Sequence, residues 1–138
     1  MTNYPDVRSS GCRGAETLLR VVHGLGGAAL VVIGALALTA PKRRNDSLHT
    51  RWGEIYVWLL TATLGLGLVI GLDDPGLSVF EIVTPPTFAF GLVGYLTAKR
   101  RGRILGLPWT CIHIPAQGGS YIGVITATSF QTLGNLAW

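Results

Sequence analysis

The chain has 138 residues, enough for one domain and too few for a large transporter. Asp, Glu, Lys and Arg make up 13% of it, about half the share in a soluble domain, while AVILMFWYC residues make up 49% and the mean hydropathy is positive. That composition excludes a soluble enzyme and a disordered tail, and the net charge of +4 does not point to nucleic acid, because the basic residues cluster in two short segments.

Charge-free stretches organise the rest: 21 residues from Val21 to Pro41, 18 from Ile55 to Leu72, 17 from Ile82 to Ala98 and 35 from Ile104 to Trp138. A membrane helix needs about 20 mainly apolar residues. The pattern predicts an all-α, integral membrane, antiparallel four-helix bundle forming a single membrane domain.

In chain order, the first 17 residues are polar and show no apolar core before a small-residue cleavage site, so no cleaved signal peptide is expected. Span 1 is predicted over about 17–40 and stops at Pro41, which has no N–H to donate. Span 2 covers about 47–72, opening near Asp46 or Ser47 as a cap and closing before the Asp73-Asp74-Pro75-Gly76 turn. Span 3 covers about 84–99, with Thr84 as its cap and Pro85 at the first helical position, where a missing N–H costs nothing. Residues 76–83 then lie at the outer interface and Glu81 leaves the hydrocarbon; a helix starting at Gly76 would instead make Glu81 an intramembrane acid. Span 4 covers about 108–136, inside an uncharged stretch longer than one crossing needs and too short for two.

Eight of the eleven Lys and Arg residues fall in two segments: Lys42, Arg43, Arg44 and Arg51, then Lys99, Arg100, Arg101 and Arg103. With four spans these links share one face, which the positive-inside rule makes cytoplasmic in a bacterial inner membrane, leaving both termini outside. Arg8, Arg13 and Arg20 run against that orientation. Cys12 and Cys111 then fall on opposite faces, too far apart for a disulfide.

Three histidines, His23, His49 and His113, are the side chains suited to redox or metal chemistry inside such a bundle, and each sits near the end of a span. At 100° per residue, His23 shares a face with Gly27, Leu30, Gly34 and Ala37, and His49 shares one with Gly53, Tyr56, Leu60, Thr63 and Gly67. The row His113, Gln117, Ser120, Val124, Thr128 and Gln131 is the most polar stripe in the chain, and in lipid it should point inward. Threading puts His49 and His113 in the same half and His23 alone in the other, so only the first two can pair. Two imidazoles from facing helices can hold a haem iron from both sides. A zinc site lacks Asp, Glu or Cys at ligand spacing, and no C-x-x-C-H is present for covalent haem attachment. Against the ligand role, a histidine at a span end commonly bonds a headgroup, a loop carbonyl or water. Trp52, Tyr56, Tyr95 and Trp109 fall where aromatic belts anchor a span. Small residues at Gly119, Gly123 and Ala127, and at Gly27 and Gly34, provide for close helix contact. No nucleophile with its base, phosphate loop or carboxylate pair is present, so the chain is not read as an enzyme on its own.

His23-Gly24-Leu25-Gly26-Gly27, then Lys42-Arg43-Arg44 leading to His49-Thr50-Arg51-Trp52-Gly53-Glu54-Ile55-Tyr56, then His113 and Tyr121 after Arg100 to Arg103 form an ordered set. Over about residues 20–130 this set resembles a family of uncharacterised bacterial four-helix membrane proteins, departing from it at Ile114-Pro115-Ala116-Gln117-Gly118-Gly119. That family is similar in layout to four-helix b-type cytochromes. The resemblance implies a small membrane electron-transfer protein binding b-type haem, with His49 and His113 as iron ligands, His23, Tyr56 and Gly53 as further cofactor contacts, and quinone as a candidate exchange partner. The alternatives are a cofactor-free accessory subunit docked on other membrane protein subunits, and a small-molecule sensor or carrier using the polar stripe of span 4.

Overall fold

A computed structural model of the protein describes residues 10–42, 48–71 and 79–136, without the side chains at 10–13, 79–81 and 134–136. These residues form four helices, α1 Ser10–Thr39, α2 Leu48–Gly71, α3 Val79–Arg100 and α4 Trp109–Leu136. The expected caps at Asp46 and Ser47, the turn at Asp73-Asp74 and the side chains of Cys12 and Glu81 lie outside the described residues.

Packing is most extensive between α1 and α2 and between α3 and α4, and contacts of α2 with α3 and of α1 with α4 close the ring. Neighbours run antiparallel: Ala37 meets His49 while His23 meets Thr63, and Gly94 meets His113 while Gly91 meets Gln117. The fold is therefore an all-α four-helix bundle with α2 and α4 standing across its centre.

Helix ends follow local chemistry. In the last turn of α1 the Ala40 N–H donates to Leu36 at 2.9 Å, and Pro41 stops the run. Arg101 leaves α3 with φ 47° while its N–H donates to Thr97 at 3.1 Å, a left-handed helix ending. A two-residue hairpin follows, pairing Arg103–Ile104 with Leu107–Pro108. Its central residues Leu105 and Gly106 have φ of 51° and 80°, the signs of a type I′ turn. Gly106 adopts that conformation freely and Leu105 at a steric cost.

One helix boundary corrects the sequence expectation. Thr84 does not cap α3, because the helix begins by Val79 and runs through Pro85 and Pro86. The prolines cost two backbone donors within one helix turn. Tertiary packing holds the segment nonetheless: Thr87 is buried against α4 at Gly123 and donates to the Val83 carbonyl at 2.7 Å. α1 also starts earlier than the expected span, at Ser10, whereas α2 and α4 lie within a residue of expectation.

The interior is small and partly polar. Leu30, Tyr56, Val57, Leu60 and Val124 form the buried cluster, and Thr63, Thr87, Thr97 and Ser120 are buried with it. Large apolar side chains face outward instead, Trp58 at 69% exposure and Leu25 at 66% among them. Among the described residues, Gly14–Thr39 and Leu48–Gly71 are long and apolar enough to cross a membrane. Only 17% and 22% of their apolar windows are buried, whereas the core helix of a soluble protein would be mostly buried.

Close approach between helices depends on missing side chains. A Cβ on Gly94 would lie 2.8 Å from Gln117, and one on Gly91 2.6 Å from Leu60. On α1, a Cβ on Gly26 would lie 2.7 Å from Thr63. These glycines let backbones and polar side chains meet where any larger residue would push the helices apart.

Candidate functional site

The α4 row expected to point inward does face the interior, and so do the rows that start at His23 on α1 and His49 on α2. From His23 the row reaches buried Leu30, from His49 it reaches buried Tyr56, Leu60 and Thr63, and from His113 it reaches buried Ser120 and Val124. Each histidine is half-buried, and each uses Nδ1 in the same way.

His49 Nδ1 donates to the Ala37 carbonyl on α1 at 2.6 Å, and His113 Nδ1 donates to the Gly94 carbonyl on α3 at 2.8 Å. His23 Nδ1 donates to the Thr63 carbonyl on α2 at 3.0 Å. A carbonyl can only accept, so these bonds place a proton on each Nδ1, and in the neutral imidazole the lone pair is then on Nε2. This is the arrangement by which a second hydrogen bond orients a ligating imidazole.

The structure brings His49 and His113 together across the bundle, with ring centres 6.3 Å apart and planes at 87°. His23 belongs to the other half, where its ring lies against Gly67; a Cβ there would be 2.8 Å from the imidazole. Trp109, one helical turn before His113, packs on that histidine with ring centres 5.4 Å apart. Gly53, one turn after His49, would bring its Cβ within 4 Å of nothing beyond the backbone of its own helix, so the space at that glycine is open.

Tyr56 corrects a second expectation. It is no interfacial anchor: it is 3% exposed, and its hydroxyl lies 3.1 Å from Ser120 Oγ at the centre of the bundle. Tyr121 donates to the Val31 carbonyl at 3.0 Å, tying α4 to α1. Tyr95 is half-buried under Lys99, whose ammonium sits 5.5 Å from the ring centre and pairs with Glu54.

The electrostatics of the His49 and His113 end are basic. Arg51, Arg100, Arg101 and Arg103 are exposed there, while the Lys99 charge is matched by Glu54. Among the described residues no three His, Cys, Asp or Glu side chains converge.

Ala37, Gly94 and Trp109 were not singled out as partners from sequence. For Trp109 the signal was present, since residues four apart share a helix face. For the two carbonyls there was none, because an acceptor on a neighbouring helix depends on which helices become neighbours.

Neither a family profile, nor a curated protein, nor a solved structure matches the chain.

Proposed function

We propose that the chain is a small integral membrane protein of four crossings that holds a b-type haem between His49 and His113 and relays single electrons. The lipid part of the proposal draws on the inverted surface: hydroxyls and imidazoles inside, and large apolar side chains such as Leu25, Trp58, Ile82 and Ile122 outside. The two basic segments then face the cytoplasm of a bacterial inner membrane and both termini lie outside.

The observation that carries the cofactor is the separation of the two rings. His49 and His113 stand at 6.3 Å. Two imidazoles brought this close from different helices could together hold the haem iron. Their chemistry also fits the group: each Nδ1 donates to a carbonyl, so in the neutral imidazole the Nε2 of His49 and of His113 would be available to ligate the iron.

The chain's own residues then have distinct tasks. The Ala37 and Gly94 carbonyls hold the two imidazole rings in one orientation. Trp109 packs against His113, and the helix surface at Gly53, one turn after His49, is open. Arg51, Arg100 and Arg103, exposed at the same end, suit carboxylates of an anionic cofactor. When bound, haem supplies a reversible one-electron couple whose potential follows its axial ligands and their hydrogen bonds.

The test is an absorption spectrum of the protein purified in detergent with haem supplied, oxidised and then reduced with dithionite. A Soret band with sharp α and β bands on reduction is expected, lost in His49→Ala and in His113→Ala. A wild-type protein that stays colourless under these conditions overturns the proposal.

A further inference from the structure

The link from α3 to α4, Arg100-Arg101-Gly102-Arg103-Ile104-Leu105-Gly106-Leu107-Pro108, folds against local preference. Among the described residues, the two non-glycine residues with left-handed backbones both lie here, Arg101 at φ 47° and Leu105 at φ 51°. Glycine or asparagine would adopt that conformation at less cost. Both side chains are exposed, so packing within the bundle does not explain why a strained arginine and a strained leucine stand there.

Their surroundings give the reason. Leu105 stands at the tip of the hairpin with 95% of its surface exposed, whereas the next most exposed large apolar residue described, Trp58, reaches 69% on the side of a helix. Residues paired across a hairpin share a face, which puts Ile104 with Leu107 on one side and Arg103 with Pro108 on the other. Leu107 is exposed as well. Arg100, Arg101 and Arg103 are exposed and make no ion pair among the described residues, and Glu54, the described acid at this end, is taken up by Lys99. The hairpin is thus an apolar tip and side on a cationic base.

A soluble polyanion would match the arginines but leave Leu105 and Leu107 in water. An apolar groove would take the leucines but leave three guanidinium groups without counter-charge. The boundary of an anionic bilayer offers phosphates beside acyl chains and meets both demands. We propose that the hairpin is an anchor selective for anionic lipid, in which Leu105 and Leu107 enter the acyl boundary while Arg101, with Arg100 and Arg103 beside it, binds headgroup phosphates. The inference rests on the reading that the bundle crosses a membrane and not on the haem, in which Arg101 and Leu105 have no part.

The experiment uses the full-length protein with Cys12→Ser and Cys111→Ser, carrying an NBD fluorophore at Leu107→Cys, in nanodiscs of phosphatidylcholine alone or mixed with phosphatidylglycerol. Doxyl groups on the lipid chains close to the headgroup quench the label when it enters the bilayer. Strong quenching is expected with phosphatidylglycerol and weak quenching without it. Arg101→Asn should lower the ratio of inserted to exposed hairpin about fivefold, and Leu105→Asn about tenfold. Asparagine suits both left-handed positions better than the native residues, so lost quenching in these variants is not a lost fold. A second label at Val32→Cys, on an exposed side of α1, reports whether the helices cross lipid at all. Quenching at Val32 with none at the hairpin leaves the hairpin free for a protein partner and overturns the anchor alone; no quenching at Val32 overturns the membrane reading and the anchor together. Equal quenching in the two lipids, or undiminished quenching in both asparagine variants, also overturns the proposal.

Discussion

The Tyr56 hydroxyl lies 3.1 Å from Ser120 Oγ, joining α2 to α4 through the middle of the bundle where Ser120 is 0% exposed. Both groups are buried, so their value lies in being matched to each other. Tyr56→Phe and Ser120→Ala should each destabilise the fold by about 1 kcal/mol. The double variant should cost less than the sum, because once one partner is gone the other contributes only its own desolvation. Unfolding of the four proteins in mixed micelles measures this, and strict additivity would mean that the bond contributes nothing.

Glycines at contacts and glycines in the open should respond with opposite sign. A Cβ at Gly34 would lie 2.5 Å from the Tyr121 ring, which is itself held by its bond to the Val31 carbonyl, so Gly34→Ala should cost about 1–3 kcal/mol through overpacking. Gly24 has nothing within 4 Å, and Gly24→Ala should stabilise α1 by about 0.5–1 kcal/mol. The same unfolding assay reads both.

The histidines should separate by function while sharing a structural role. His23→Ala removes a bond to the Thr63 carbonyl and should lower stability by about 1 kcal/mol, yet leave the haem spectrum intact. His49→Ala and His113→Ala should lower stability similarly and also abolish the spectrum. A spectrum lost only in His23→Ala would move the haem site to the other end of the bundle.

The Lys99 and Glu54 pair is exposed and should matter little to the fold. Glu54→Gln should leave the unfolding midpoint unchanged at moderate salt, with any small effect at low salt vanishing as ionic strength rises. A large, salt-independent loss would show that Glu54 has a further partner.

What could be read in the residues followed one-dimensional periodicity. The row from His113 through Gln117, Ser120 and Val124 to Thr128 and Gln131 was legible because an α-helix repeats every 3.6 residues and a polar stripe avoids lipid. Tyr56 was misplaced because depth was counted along one helix, whereas burial depends on the neighbours that converge on it. Thr84 was misassigned because proline preferences are local, while contact with α4 carries α3 back through Pro85 and Pro86 to Val79.

Composition and periodicity alone thus account for four helices, their inward faces and the half of the bundle to which each histidine belongs. Folding in three dimensions decided the rest: that Ala37 and Gly94 offer the carbonyls, that two rings meet 6.3 Å apart, and that four helices leave a cavity around His23. Each of these depends on distances between segments far apart in the chain, which are set by how closely glycine-lined surfaces approach and not by any repeat within one helix.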